Sequence, residues 1–301
     1  MKTIRVSLKD SHKFSEPIAA CIGFFDGFHL GHRQLINETL QYAKENGVSS
    51  AIFSFDKDPG DVINDSPSRH IMTLTDKINY LNDKHFDYFI VMEFTLEMMR
   101  LSIDEFHRMV LDKFDIRQLF VGKDFHYAYK GEGSFETLGR DYKVKAIDLM
   151  NYEGEKISST RIKKELDNGN IKQVNNLLGR PFQVTAKVIH GHQLGKTIGF
   201  PTANLEMSPY LCYPKEAVYV GSCTILNKDY LCMINIGKPS VSVNESATFE
   251  VHVIGYDGNL YDSYLTIRFI DLVREEMKFN SLEELKTQLQ RDITYINENY
   301  Q

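Results

Sequence analysis

Ala19-Ala20-Cys21-Ile22-Gly23-Phe24-Phe25-Asp26-Gly27-Phe28-His29-Leu30-Gly31-His32-Arg33 decides how the rest of the chain reads. Its opening apolar run (19–24) has the character of a strand, and three glycines punctuate the loop that follows. A helical pattern then runs over 33–46, with Leu35, Ile36, Leu40 and Ala43 on one side and Gly47 just past its end. Glycine lets the backbone come close to a bulky ligand. A helix N-terminus offers unpaired N–H groups and a partial positive charge to a phosphate. His29 and His32, three apart around Gly31, can both face such a group as hydrogen-bond donors. The bland alternative is two unrelated histidines on a surface turn.

Outward from this stretch the first half keeps one rhythm. Residues 50–55, 88–92 and 118–122 read as short strands, and 75–84 and 103–114 as helices. Strands alternating with helices of this length imply right-handed crossovers and a mostly parallel sheet. Such sheets bind ligands at the carboxyl ends of their strands. Near Gly179-Arg180-Pro181 the rhythm changes. Segments 182–190, 218–226, 230–236, 248–254 and 264–269 are strand-like, with Asp257-Gly258 as a hairpin signal between the last two. An amphipathic helix over 281–297 closes the chain, Ser281 and Glu284 standing at capping-box spacing. The expected architecture is α/β: a Rossmann-like domain with a parallel sheet over 1–181, then a small antiparallel β-barrel with a C-terminal helix over 182–301.

Bulk properties narrow the function classes. Hydrophobic residues at 42% and charged residues at 25% suit a globular chain rather than a disordered one. A net charge of −6 argues against a general nucleic-acid binder, which needs excess Lys and Arg, but not against one bound nucleotide. Cys21, Cys212, Cys223 and Cys232 form no CxxC pair, so neither a zinc site nor a disulfide framework is expected. Without a signal-like N-terminus or an apolar run of about 18 residues, the expectation is a cytoplasmic protein with no membrane span. Oligomeric state is not readable.

Two further stretches carry chemistry. Lys156-Ile157-Ser158-Ser159-Thr160-Arg161 precedes an amphipathic helix ending at Asn168-Gly169. Its hydroxyls suit simple helix capping, and with Arg161 adjacent they also suit a phosphate cradle. The segment from His190 to Leu205 contains Gly191, Gly195 and Lys196, then Gly199-Phe200-Pro201-Thr202-Ala203-Asn204. A glycine-bearing loop with a lysine can wrap phosphates, while Thr202 and Asn204 offer hard oxygen ligands to Mg²⁺. A plain Gly/Pro connection between barrel strands fits the same residues.

Taken together, these stretches resemble the prokaryotic bifunctional riboflavin kinase/FMN adenylyltransferase (FAD synthetase) family. The first half resembles nucleotidyltransferases through its HxGH loop and its late ISSTxIR-like segment. Phe53-Ser54-Phe55-Asp56-Lys57-Asp58-Pro59 is similar to that family's FTFDPHP, and Val121-Gly122-Lys123-Asp124-Phe125 to its VGxDF. The second half carries GFPTAN, the mark of the riboflavin kinase module. The resemblance implies ATP as co-substrate, Mg²⁺, and the small molecules riboflavin and FMN as substrates. By resemblance His29 and His32 hold ATP phosphates, with Gly23, Phe25, Asp26, Gly31, Ser159, Thr160 and Arg161 at the same site. Asp56, Asp124 and Phe125 lie on the flavin side. In the kinase module Gly191, Gly195 and Lys196 meet ATP and Thr202 and Asn204 take the metal. Glu250 is the general base there, and Arg274 borders the flavin. On its strand, Glu250 by itself fits a positioned base and an outward-facing residue equally.

The chain departs from the pattern at Lys57-Asp58-Pro59 and at His126-Tyr127-Ala128-Tyr129-Lys130-Gly131, where the family has PHP and RFGxxRxG. It also differs at Gln193-Leu194 and at Gly237-Lys238-Pro239-Ser240-Val241. A kinase with a weak adenylyltransferase half, and a flavin- or nucleotide-binding protein without turnover, stay open beside the two-step enzyme.

Overall fold

A computed structural model describes residues 1–64, 68–148, 150–191, 194–237 and 248–300, with the side chains of 59, 63, 64, 194 and 196 outside the described set. The chain divides into two compact units, Met1–Ser159 and Thr160–Gln301.

In the first unit β1 (Lys2–Val6), β2 (Phe14–Ile22), β3 (Ser49–Phe55), β4 (Tyr88–Met92), β5 (Phe114–Gly122) and β6 (Val144–Ile147) form one sheet in the order β1-β4-β3-β2-β5-β6. Every pairing in it is parallel. Helix α1 (Leu30–Asn46) crosses from β2 to β3, followed by α2 (Pro59–Asn64), α3 (Leu74–Asp83), α4 (Leu96–Met99), α5 (Ile103–Met109) and α6 (Phe135–Leu138). A two-stranded ribbon, β7 (Asn151–Tyr152) with β8 (Glu155–Lys156), precedes α7 (Ser159–Asp167). The C-terminal part of β2 and almost all of β3 are buried without alternation, as expected of central parallel strands covered on both faces. Phe53, Phe89 and Phe120 sit inside that core, each contributing about 2–3 kcal/mol by leaving water. Because β3 lies on one side of β2 and β5 on the other, the strand order reverses at β2. The loop after β2 thus opens at the position where open α/β sheets hold ligands.

The second unit begins with most of α7 and with α8 (Ile171–Leu178). Strands β9 (Phe182–Ile189), β10 (Ala203–Leu205), β11 (Ala217–Ile225), β12 (Lys228–Gly237), β13 (Thr248–Val253) and β14 (Tyr264–Glu275) close into a barrel, ordered β10-β13-β12-β11-β14-β9. All its pairings are antiparallel. A short helix α9 (Leu194–Thr197) lies between β9 and β10, and α10 (Leu282–Asn299) is capped by Ser281. Ile296 of α10 packs on Val218, Val220 and Met233.

Two expectations need correction, and one strand is added. Asp257-Gly258 does not close a hairpin, because β13 and β14 are not neighbours in the barrel, and the segment joining them must pass to a different strand. The tight hairpin is Leu226-Asn227 between β11 and β12; both residues have positive φ (50° and 62°), as a primed two-residue turn demands. The single helix over 103–114 breaks after Met109, gives a 3₁₀ turn at Leu111–Lys113, and hands Phe114 to β5. Edge strand β1 was not anticipated, its alternating Ile4 and Val6 being too short a signal.

Candidate functional site

The loop after β2 is built under strain. Phe25 (φ 55°), Gly27 (φ 86°) and Phe28 (φ 43°) all take left-handed backbone, costly for the two phenylalanines. Their rings anchor the turn: Phe25 stacks on Phe28 at 5.7 Å and meets His32 edge-on at 5.1 Å, and Phe28 stacks on Tyr80 at 4.6 Å. Asp26 is buried and accepts from the backbone N–H groups of Ile71 (2.8 Å) and Met72 (3.3 Å), tying the loop to the segment before α3. Lys77, also buried, donates to the Phe24 carbonyl at 2.6 Å.

His29 and His32 emerge from this scaffold at the N-terminus of α1, with their rings stacked at 3.6 Å. His29 Nδ1 accepts the His32 backbone N–H at 3.4 Å, so in neutral His29 the proton sits on Nε2. Burial pushes the His29 imidazole down to about 4, against the pull of Asp26 and Asp124. Burial also holds His32 well below its ordinary value, with His29 and Lys77 adding to the effect. His32 Nδ1 is buried with no hydrogen-bond partner among the described residues. Two neutral imidazoles at a helix N-terminus can donate to an anion and gain protons as it arrives.

A cleft opens beside this pair, lined on the other side by Gly122, Asp124, Asp148 and Lys156. Asp124 and Lys156 form an ion pair on its rim, and Lys123 pairs with Asp148 at 2.5 Å. Ser158 and Ser159 line the same cleft, and Ser159 Oγ donates to the Asp26 carbonyl at 2.9 Å, bringing two distant stretches of sequence together. Thr160 and Arg161 continue α7 into the second unit. Gly23, Phe25, Asp26, Asp56 and Phe125 do not line the cleft. Gly23 bonds to the Phe53 carbonyl, and Asp56 accepts from the Phe94 N–H at 2.8 Å. Phe125 stacks on Tyr127 at 5.8 Å. Lys156 opens the stretch whose hydroxyls suit a phosphate cradle, but no signal in the sequence marked Asp148 for this rim; the end of β6 brings it there.

On the barrel, β10 lies between β9 and β13, and Asn204 is directly across from Glu250. Thr202 Oγ1 donates to Glu250 Oε2 at 3.4 Å. Glu250 also faces Asn235 of β12 across the next strand pair. Along β13 burial alternates, Phe249 and Val251 pointing inward while Glu250 and His252 are half-buried on the outer face. His252 Nδ1 binds the Pro201 carbonyl at 2.8 Å and fixes the turn before Thr202. Gly191 passes so close to Asn204 that a Cβ would lie 2.2 Å from its amide, so only glycine fits there. Gly195 Cβ space meets the Phe200 carbonyl and Thr202. The Lys196 side chain and residues 238–241 lie outside the described residues.

Arg274 is occupied structurally. Its Nε and Nη2 both reach Asp292 Oδ2 at 2.9 Å, binding β14 to α10, and Gln288 donates to the same carboxylate. The four cysteines are free and buried. Among the described residues no group of three or more His, Cys, Asp and Glu could hold a metal, and no helix is long and apolar enough to cross a membrane.

Comparison with known proteins finds the FAD synthetase family over residues 11–161 and the riboflavin kinase family over 178–300. The bifunctional riboflavin kinase/FMN adenylyltransferase of Buchnera aphidicola subsp. Schizaphis graminum is 31% identical, covering 98% of this chain and 98% of its own. The Bacillus subtilis protein of the same description is 31% identical over 97% of this chain and 96% of its own. A solved structure from Streptococcus pneumoniae, described as a macrolide-efflux protein, matches with a TM-score of 0.89 at 26% identity over 99% of both chains.

Proposed function

This chain belongs to the bifunctional riboflavin kinase/FMN adenylyltransferase family, and we propose a division of its chemistry between the two units and their residues. The chain converts riboflavin to FMN and FMN to FAD. ATP is the co-substrate that fits both steps, which we place in the cytoplasm.

In the first unit, the triphosphate of ATP lies against His29, His32 and the first turn of α1, at the sheet's switch point. An FMN phosphate oxygen attacks the α-phosphorus; the bond to the bridging oxygen breaks, and pyrophosphate leaves. No nucleophilic side chain is needed, since positioning and electrostatic stabilisation suffice for in-line displacement. The imidazoles donate hydrogen bonds to the leaving phosphates, and their low proton affinity when empty rises as negative charge arrives. Asp124 marks the side from which FMN enters. Ser159 borders the ATP side.

In the second unit, Glu250 accepts the proton of the ribityl 5′-hydroxyl as that oxygen attacks the γ-phosphorus of ATP; the bond from the γ-phosphorus to the bridging oxygen breaks, and ADP leaves. The hydroxyl of Thr202 and the side chain of Asn204, next to that carboxylate, are hard oxygen donors that fit Mg²⁺, which when bound offsets phosphate charge. Gly191 and Gly195 keep the loop thin where ATP passes. The observation that carries this reading is the convergence of Thr202, Asn204 and Glu250 on one outer face of the barrel, Thr202 and Glu250 standing 48 residues apart in sequence.

Purified protein given ATP and Mg²⁺ with riboflavin or FMN, followed by chromatography, tests the division. Glu250→Gln should cut FMN formation by about 10²–10⁴-fold while FAD still forms from supplied FMN. His32→Ala should do the reverse. A folded variant that loses both activities contradicts one site per unit.

A further inference from the structure

We infer that a chain of hydrogen bonds, Asp141–His107–Tyr127–Thr137, buried at His107 and Tyr127 and open to solvent at Asp141, positions the loop that receives the flavin phosphate substrate of the first unit. His107 on α5 and Tyr127 are 4% and 5% exposed. His107 Nδ1 meets Asp141 Oδ2 at 2.6 Å, and its Nε2 meets the Tyr127 hydroxyl at 2.7 Å. That hydroxyl lies 2.9 Å from Thr137 Oγ1. Thr137 spends its own proton on the Ser134 carbonyl at 2.8 Å, so Tyr127 is the donor to Thr137 and accepts from His107. Four side chains, from α5, the 122–133 loop, α6 and the segment before β6, are thereby tied together.

The pin reaches the cleft through the loop. Tyr127 stacks flat on Phe125 (5.8 Å, 12°) and on His107 (5.7 Å, 17°), and Phe125 is next in sequence to Asp124, which lines the cleft. Backbone bonds clamp the loop from both sides: Tyr127 exchanges two with Gly133, and the Tyr129 N–H donates to the Leu101 carbonyl at 2.8 Å. Between these clamps Ala128 holds φ 63° and ψ −170°, a conformation natural only to glycine. A non-glycine residue stays there only when its surroundings dictate it, so the loop is held in shape rather than resting in it.

His107, Tyr127 and Asp141 are therefore positioning residues for the acceptor, not catalytic ones, and the assignment rests on the reading of the first unit as the FMN-adenylylating one. Steady-state kinetics of Tyr127→Phe and His107→Gln test it, with the KM for FMN and for ATP measured separately and riboflavin phosphorylation followed in the same preparation. Tyr127→Phe keeps the ring stack and removes only the hydroxyl. Each variant should raise the KM for FMN about tenfold, leave the KM for ATP within about twofold, and leave riboflavin phosphorylation unchanged. Unmoved KM values for FMN, or equal rises for FMN and ATP, overturn the inference alone. An unaltered chain that makes no FAD from FMN overturns the reading of the unit and the inference with it.

Discussion

At the scale of single residues, strain and burial say more than motif identity. Ala128 sits where a Cβ is unwelcome, a cost of about 1–3 kcal/mol. Ala128→Gly should remove that strain, outweighing the extra chain entropy of glycine, and raise the thermal midpoint of the first unit by a few degrees. A lower midpoint in a calorimetric scan would mean that the backbone is not strained there. The opposite case is Gly191, whose missing Cβ makes room for the Asn204 amide. Gly191→Ala should cost riboflavin phosphorylation while sparing FAD formation from FMN, read in the two-substrate assay. Candidate residues are legible where they are contiguous: the His29–His32 pair and Thr202 with Asn204 are read from neighbouring letters. The pin through His107 is not, because its partners stand 20 and 34 positions away and only the packing of α5 against the loop brings them together.

Elements show the same division between local and non-local causes. Strand β4 and helix α3 follow from short-range pattern and capping, with Thr73 and Asp76 closing a capping box. The barrel's connectivity does not, since a turn dipeptide such as Asp257-Gly258 reports a bend but not which strands flank it in space. Leu226-Asn227 lacks the glycine that advertises a primed turn, yet makes one. The join between β14 and α10 depends on Arg274 and Asp292, whose side chains are 17% and 4% exposed. The resemblance implies that Arg274 borders the flavin, and its pairing with Asp292 gives it a structural duty as well. Removing one partner leaves a buried charge uncompensated, at a cost of about 3–5 kcal/mol. Asp292→Ala should therefore loosen α10 and lower the urea midpoint of the barrel unit, with the Arg274→Met, Asp292→Leu double variant recovering part of the loss. No change in that midpoint would show that the pair carries no net stability.

For the whole molecule, the two units differ in how they hold histidine. The first buries His29, His32 and His107 to different extents, while among the described residues the barrel unit buries none. The folded imidazole of His29 is down at about 4 and that of His32 well below its usual value, whereas in an unfolded chain both titrate near 6.5. Between about pH 6.5 and 4 the unfolded state of the first unit therefore binds more protons than the folded state. Its stability is fully present above about 6.5 and falls as the pH drops through that window, by about 1.4 kcal/mol per pH unit for each histidine affected. A bound phosphate would oppose this loss, because the anion favours the protonated rings. Brief incubation at pH 5 followed by assay at pH 7.5 should thus cost more FAD synthesis than FMN synthesis, and ATP present during the incubation should protect the former. Replacing His29 and His32 together by Gln should flatten the acid dependence of unfolding in urea between pH 7 and 4.5. Equal acid loss of both activities, or an unchanged pH slope in the double variant, would mean that the stacked pair is not what ties this unit's stability to protons.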